Sequence, residues 1–204
     1  MPSPSTGWLS LTPEGAFKAF AQKQPDAVDL ALQALLSEEH TLECAAWEAL
    51  HAHLPSIAAE ALEQAWVERL PRALQGPDAK LDDFLNHVIA SLSGERRAVL
   101  ASDSGFCLGY AGVDQDQAEA LSAAAADFSE FAARQTRRGW AGANRYVSFH
   151  GDSAMLLPSY SFLPFWVDGA GYWLVIMGEP LLNNQALVEL MWGIKLAGTR
   201  FKAP

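Results

Sequence analysis

At 204 residues the chain can form one large domain or two small ones, and with half of its residues apolar and 19% charged it has material for a packed core. Its formal net charge of −10 argues against a sequence-independent grip on phosphate backbones, which needs a Lys/Arg surplus, and against docking on an anionic membrane. No stretch approaches the roughly 20 apolar residues of a spanning helix, so membrane insertion is not expected. The opening MPSPSTGWLSLTPEG lacks the basic and apolar regions of a signal peptide. Cys44 and Cys107, far apart and among apolar neighbours, read as small buried thiols rather than a disulfide framework. A cytoplasmic protein is the expectation.

The front region, residues 1–74, reads as four short helices forming a small all-α domain. Thr12 caps the first, with Pro13 at the tolerated first position and Glu14 suiting the dipole, and Phe17, Phe20 and Ala21 make its apolar face. Asp26 opens the second, AVDLALQALL. Ser37 opens the third, with Leu42, Ala46, Trp47, Leu50 and Leu54 at helical spacing. Pro55 starts the fourth, whose stripe runs through Ile57, Ala61, Leu62, Ala65, Trp66 and Leu70 until Pro71 stops it. The Gly76-Pro77 pair marks a linker over 75–80. Charge shifts there as well: residues 1–79 carry 4 basic and 11 acidic side chains, residues 80–204 carry 10 and 13.

The back region, 81–204, mixes helical and strand periods. LDDFLNHVIASL, 81–92, is an amphipathic helix. RAVLAS, 97–102, and FCLGYAG, 106–112, read as strands joined by the turn SDSG. Asp114 and Gln117 form a capping box at the head of a long Ala-rich helix that ends among Arg134, Arg137 and Arg138. NRYVSFH at 144–150, SAMLLPS at 153–159 and GYWLVIM at 171–177 are three further strand candidates. NQALVELMWGIKLAGTRF is the last helix.

This order, with the stretch VLASDSGFCLGYAGVDQDQAEALSAAAADFSEFA at 99–132, resembles the roadblock (dynein light-chain) domain family. In that family an apolar strand meets an Asp-x-x-Gly turn, where this chain has Asp103 and Gly105 one residue closer together, and a second strand ends near a Gly, here Gly112. A helix rich in small residues follows, here Ala118 to Ala132. The likeness covers about residues 80–203. The aromatic segment 159–171 is longer than the pattern, which leaves the register of the fourth and fifth strands open, and the front region has no counterpart. The resemblance implies an α+β fold: a five-stranded antiparallel sheet, roadblock/longin-like, with the long helix on one face and the terminal helices on the other. It implies a homodimer made through the third strand and the long helix, and a non-catalytic regulator or scaffold that binds a small Ras-like GTPase. On this reading Ala125, Phe128, Phe131, Tyr146, Val147 and Phe149 form the dimer interface. Arg134, Arg137, Arg138, Tyr160, Phe162 and Trp166 are candidates for a partner surface, Arg for an acidic partner and aromatics as interface anchors.

Two alternatives stay open. One is a dimeric adaptor in a bacterial polarity, motility or secretion assembly without a GTPase. The other is a metal-dependent enzyme built on His40, Cys44, Glu48 and His51, with His53 nearby, whose offsets of 4, 4 and 3 share a helical face. A single straight helix does not wrap a tetrahedral ion, and no second Cys/His pair complements it. No Gly-x-Ser-x-Gly elbow and no phosphate-binding Gly-x-x-x-x-Gly-Lys loop occurs. The expectation is therefore no catalytic residue, no metal and no cofactor.

Overall fold

The computed structural model describes residues 7–37, 40–51, 56–76, 80–140 and 146–197. The back region builds a five-stranded antiparallel sheet, and the front region carries strands as well as helices.

In the front region, β1 (Trp8–Leu11) runs into α1 (Pro13–Ala19) and α2 (Ala27–Gln33). The two-residue β2 (Leu42–Glu43), α3 (Cys44–Leu50), α4 (Ile57–Glu63) and β3 (Val67–Leu70) follow. The three strands form a small antiparallel sheet in the order β2-β1-β3. The all-α reading of 1–74 is thus corrected. Four helices are present among the described residues, but the fourth ends at Glu63, beyond which Ala65 turns left-handed with φ 54° and the chain leaves as a strand. Val67 to Leu70 then pair with Leu11 to Trp8. The expected caps of the first two helices form. Thr12 Oγ1 accepts from Gly15 N at 3.0 Å, and Asp26 closes a reciprocal capping box with Asp29. The third helix begins at Cys44, not after Ser37, because residues 42–43 are extended. Pro55, expected to start the fourth, lies outside the described residues.

In the back region, α5 (Leu81–Ser91) precedes the hairpin of β4 (Ala98–Ser102) and β5 (Cys107–Ala111). The long α6 (Gln115–Arg137) follows, then β6 (Val147–Phe149), β7 (Tyr160–Val167), β8 (Ala170–Met177) and α7 (Gln185–Leu196). The sheet order is β5-β4-β8-β7-β6. Of the expected capping box on α6, one half forms: Asp114 Oδ1 accepts from Gln117 N at 2.8 Å, while the Gln117 side chain accepts from Arg97 Nη2. The expected strand at 153–159 is corrected. Those residues form an exposed loop, with Met155 at φ 52° and Leu156 80% exposed, and the strand is the aromatic segment behind it. Asp168 and Gly169, both at positive φ, make the two-residue turn that joins β7 to β8, the geometry favoured between twisted strands.

The two faces of the sheet are covered differently. Val99, Ala101, Phe162, Trp173, Val175 and Met177 meet Ala118 and Ala125 of α6 on one face. On the other, Leu100, Leu163, Leu174 and Ile176 meet α5 and α7. That second core continues without interruption into the front region, through Trp192 and Met191 to Phe20, Leu32, Leu36 and Trp47. Hydrogen bonds stitch the same seam: Trp192 Nε1 donates to Ser37 O at 3.0 Å, and Trp166 N donates to Phe20 O at 3.0 Å. A shared core predicts the outcome of nicking the chain. Protease cleavage at 74–80 is expected to give two pieces that still co-elute at the mass of the intact chain. Pieces that part in native buffer would show two independent cores.

Candidate interaction surface

A five-stranded open sheet has two edges, and unpaired backbone groups at an edge invite another strand. In this molecule the two edges differ. At β5 the outward N–H of Tyr110 donates to Asn86 Oδ1 of α5 at 3.0 Å. The same oxygen lies 3.0 Å from where a Cβ on Gly109 would stand, so a side chain there would press the Asn86 amide back. The helix thus takes up that edge at Tyr110. At the opposite edge β6 pairs only with β7, Val147 facing Phe162 and Phe149 facing Tyr160, and among the described residues no backbone bond to its outer side is seen.

Aromatic side chains crowd the β6 edge. Phe149 is 47% exposed and leans on Phe128, ring centroids 5.8 Å apart, which in turn meets Phe162 at 4.8 Å and Trp173 at 6.1 Å. Tyr146 is exposed but anchored, its hydroxyl hydrogen-bonded to Ser161 Oγ at 2.6 Å. Phe131 of α6 is exposed and packs edge-on against exposed Trp140, 6.1 Å away. On the α6 face, exposed Phe149 thus joins Phe128, with Phe131 and Trp140 further along the same helix, whereas Tyr146 sits on the opposite face of the sheet, bordering a cavity with Phe17 and Phe20.

The structure sorts the sequence-derived interface residues. Phe131, Tyr146 and Phe149 are on the surface, and Phe128 and Val147 are half-buried beneath it. Ala125 is corrected: it is fully buried against the molecule's own sheet, so it cannot touch a second chain. The small residues Ala118 and Ala125 bring α6 close to its own strands. Of the partner-surface residues, Phe162 is corrected likewise, being 3% exposed under Phe128. Arg134 pairs with Glu130 one turn back at 3.3 Å, an exposed pair worth little. Arg138 sits at the exposed C-cap of α6, and Tyr160 is half-buried in the α6-side core. Arg137 and Trp166 do come together, but at a cavity between the end of α6 and the β7–β8 hairpin. Trp140 went unnoticed in the sequence because it lies past the arginines that close the helix. Its only signal was a large apolar residue next to a glycine.

The His40, Cys44, Glu48, His51 spacing does not make one helical face, because the helix starts at Cys44. His40 is buried edge-on against Trp192 at 4.2 Å, and His51 packs on Trp47 at 5.5 Å. Burial pushes the Cys44 thiol pKa up, against the opposing pull of Arg69. His53 lies outside the described residues. Among the described residues no group of three or more His, Cys, Asp or Glu side chains is gathered as a metal ion requires. No helix among them is long and apolar enough to cross a membrane. No family model matches the chain, and neither does any curated protein or solved structure.

Proposed function

We propose that this chain is a non-catalytic interaction protein that pairs with a second copy of itself along β6 and the neighbouring flank of α6. The observation that carries the reading is the contrast between the edges: Asn86 of α5 takes up an edge N–H of β5, while β6 has no outer backbone partner among the described residues and carries exposed Phe149 beside Phe128 of α6. A two-fold pairing would satisfy the edge and bury the aromatic flank together. The placement of the long helix on one face and α5 with α7 on the other is also the layering that the roadblock resemblance implies. Under this reading the dimer is a scaffold or regulator, and the partner class that the resemblance implies is a small Ras-like GTPase.

The test is mass in solution by light scattering at micromolar concentration. The wild type is expected at twice the chain mass of 22.1 kDa. Phe131→Asp and Phe149→Asp each place a charge in the seam and are expected to weaken association at least tenfold, with circular dichroism unchanged for Phe131→Asp. Phe128→Asp is a poorer probe, because Phe128 also packs inside the monomer. A monomeric wild type, or a dimer indifferent to both charges, refutes the proposal.

A further inference from the structure

A cavity of about 420 Å³ opens on the α6 side of the sheet, beyond the point where the helix leaves its strands. Its floor is the hairpin surface of Pro164, Trp166 and Trp173, which the register places side by side: Pro164 faces Trp173, and Trp166 faces Gly171. Its wall is the last turns of α6, where Ala132 and Ala133 leave room that larger side chains would fill. Two features show an ordered site rather than a packing gap. Trp173 is held by its Nε1–H to Ser129 Oγ at 2.7 Å. Gly171 admits the Asp103 carboxylate so closely that a Cβ there would stand 2.7 Å from Oδ2, and Asp103 N donates to Gly171 O at 2.9 Å.

The charges lining the cavity are unequal. Lys23, from the segment after α1, and Arg137, from the end of α6, both border it, and Asp103 is the one carboxylate among the lining residues. Among the described residues neither Lys23 nor Arg137 takes part in an ion pair. Both cations border an aromatic floor, in a chain whose net charge is −10. Lys23 and Arg137 offer two cations to a ligand's anionic group, and the tryptophan floor suits an aromatic body beside it.

We propose that this cavity binds a small aromatic monocarboxylate, its ring laid between Trp166, Trp173 and the alanine wall and its carboxylate turned to Arg137 and Lys23. The site is separate from the β6 edge, and it stands or falls without the dimer.

Calorimetric titration of the intact protein with 1-naphthylacetate tests it, with the neutral 1-naphthylacetamide as control. Binding with Kd below 1 mM is expected for the acid, at least tenfold weaker for the amide. Arg137→Ala and Lys23→Ala, both on exposed ends, are each expected to weaken acid binding about fivefold. Ala133→Trp is expected to abolish it by filling the cavity. Absence of heat from the acid overturns the proposal. So does an amide that binds as well as the acid, or binding unmoved by Arg137→Ala and Lys23→Ala, and these two variants decide the matter if Ala133→Trp fails to fold.

Discussion

Replacing Trp192 by alanine is expected to cost about 3–5 kcal/mol of stability, the range for deleting a large aromatic from a core that cannot collapse. Trp192 is fully buried at the middle of the seam between the front region and α5 with α7. Its ring meets His40 edge-on at 4.2 Å and Phe84 at 5.7 Å, and its N–H reaches Ser37 O. Relaxation is hindered on one side by Gly193, where Phe84 already packs so closely that an added Cβ would stand 2.3 Å from its ring. A loss of this size lowers the melting temperature by roughly ten degrees in a chain of this length. Urea unfolding followed by circular dichroism measures it. Leu156→Ala serves as control: at 80% exposure in the loop before β7 it should change stability by less than about 0.5 kcal/mol. A Trp192→Ala loss no larger than the control's would mean that the two regions do not share a core.

Lys18→Met is expected to be nearly as damaging, at about 3 kcal/mol, although it removes a residue near the surface. The reason is its partner. Asp29 has no exposed side-chain surface, and its carboxylate accepts from Lys18 Nζ at 2.5 Å, from Gln22 Nε2 at 3.2 Å and from the backbone N–H of Asp26 at 3.1 Å. Burial works to lower the Lys18 pKa, but the hydrogen bond and charge of Asp29, helped by Asp26, outweigh it and hold it above its usual value. Removing the cation leaves a buried carboxylate whose only remaining help is neutral donors. Asp29→Asn in the Lys18→Met background removes the stranded charge and keeps an acceptor for the Asp26 N–H. The double variant is therefore expected to recover part of the loss. Additive losses would show that the pair is not coupled. Raising the folded-state pKa of Lys18 contributes stability that is complete below its unfolded value and lost only as pH climbs through the higher folded one. The variant's deficit should thus persist across neutral pH and shrink only in strong alkali.

How far the sequence revealed this molecule depends on which physical signal each element carries. Helices α5, α6 and α7 were legible because long apolar stripes and side-chain caps are local, and Asp114 and Asn184 cap as their residue types suggest. The β4–β5 hairpin was legible from its turn. β3 was hidden because Leu62, Trp66 and Leu70 keep steps of four residues even though the helix breaks at Ala65, a residue with no preference for left-handed backbone. β7 was hidden because the apolar run at 153–159 was read as the strand in its place, and the aromatic segment behind it holds Pro164, a residue that ordinarily demotes a strand to an edge. The structure resolves that objection. Trp166 N–H points away from β8, toward Phe20 O, so the nitrogen of Pro164, two residues earlier, also points away from β8 and breaks no bond of that ladder. β6 pairs only as far as Phe162, so β7 is itself the edge at Pro164. The Asp168-Gly169 pair, ahead of the apolar run 171–177, is the local signal that places β7 before it. The interaction surface was half legible. Apolar residues on β6 and α6 were visible, but which side of α6 faces its own sheet is a tertiary fact, and it moved Ala125 inside.

The seam also bears on the life of the chain before it is finished. Ser37 and Trp192, joined by a hydrogen bond, are 155 residues apart, and Lys195 reaches back to Gln33 across 162. At a synthesis rate of about 5–20 residues per second, the front region waits on the order of ten seconds for α7 to exist. Through that interval Phe20, Leu32 and Leu36 have no α7 to cover them. The nascent front region is thus the stretch of this protein for which a chaperone on the ribosome has the most to hold.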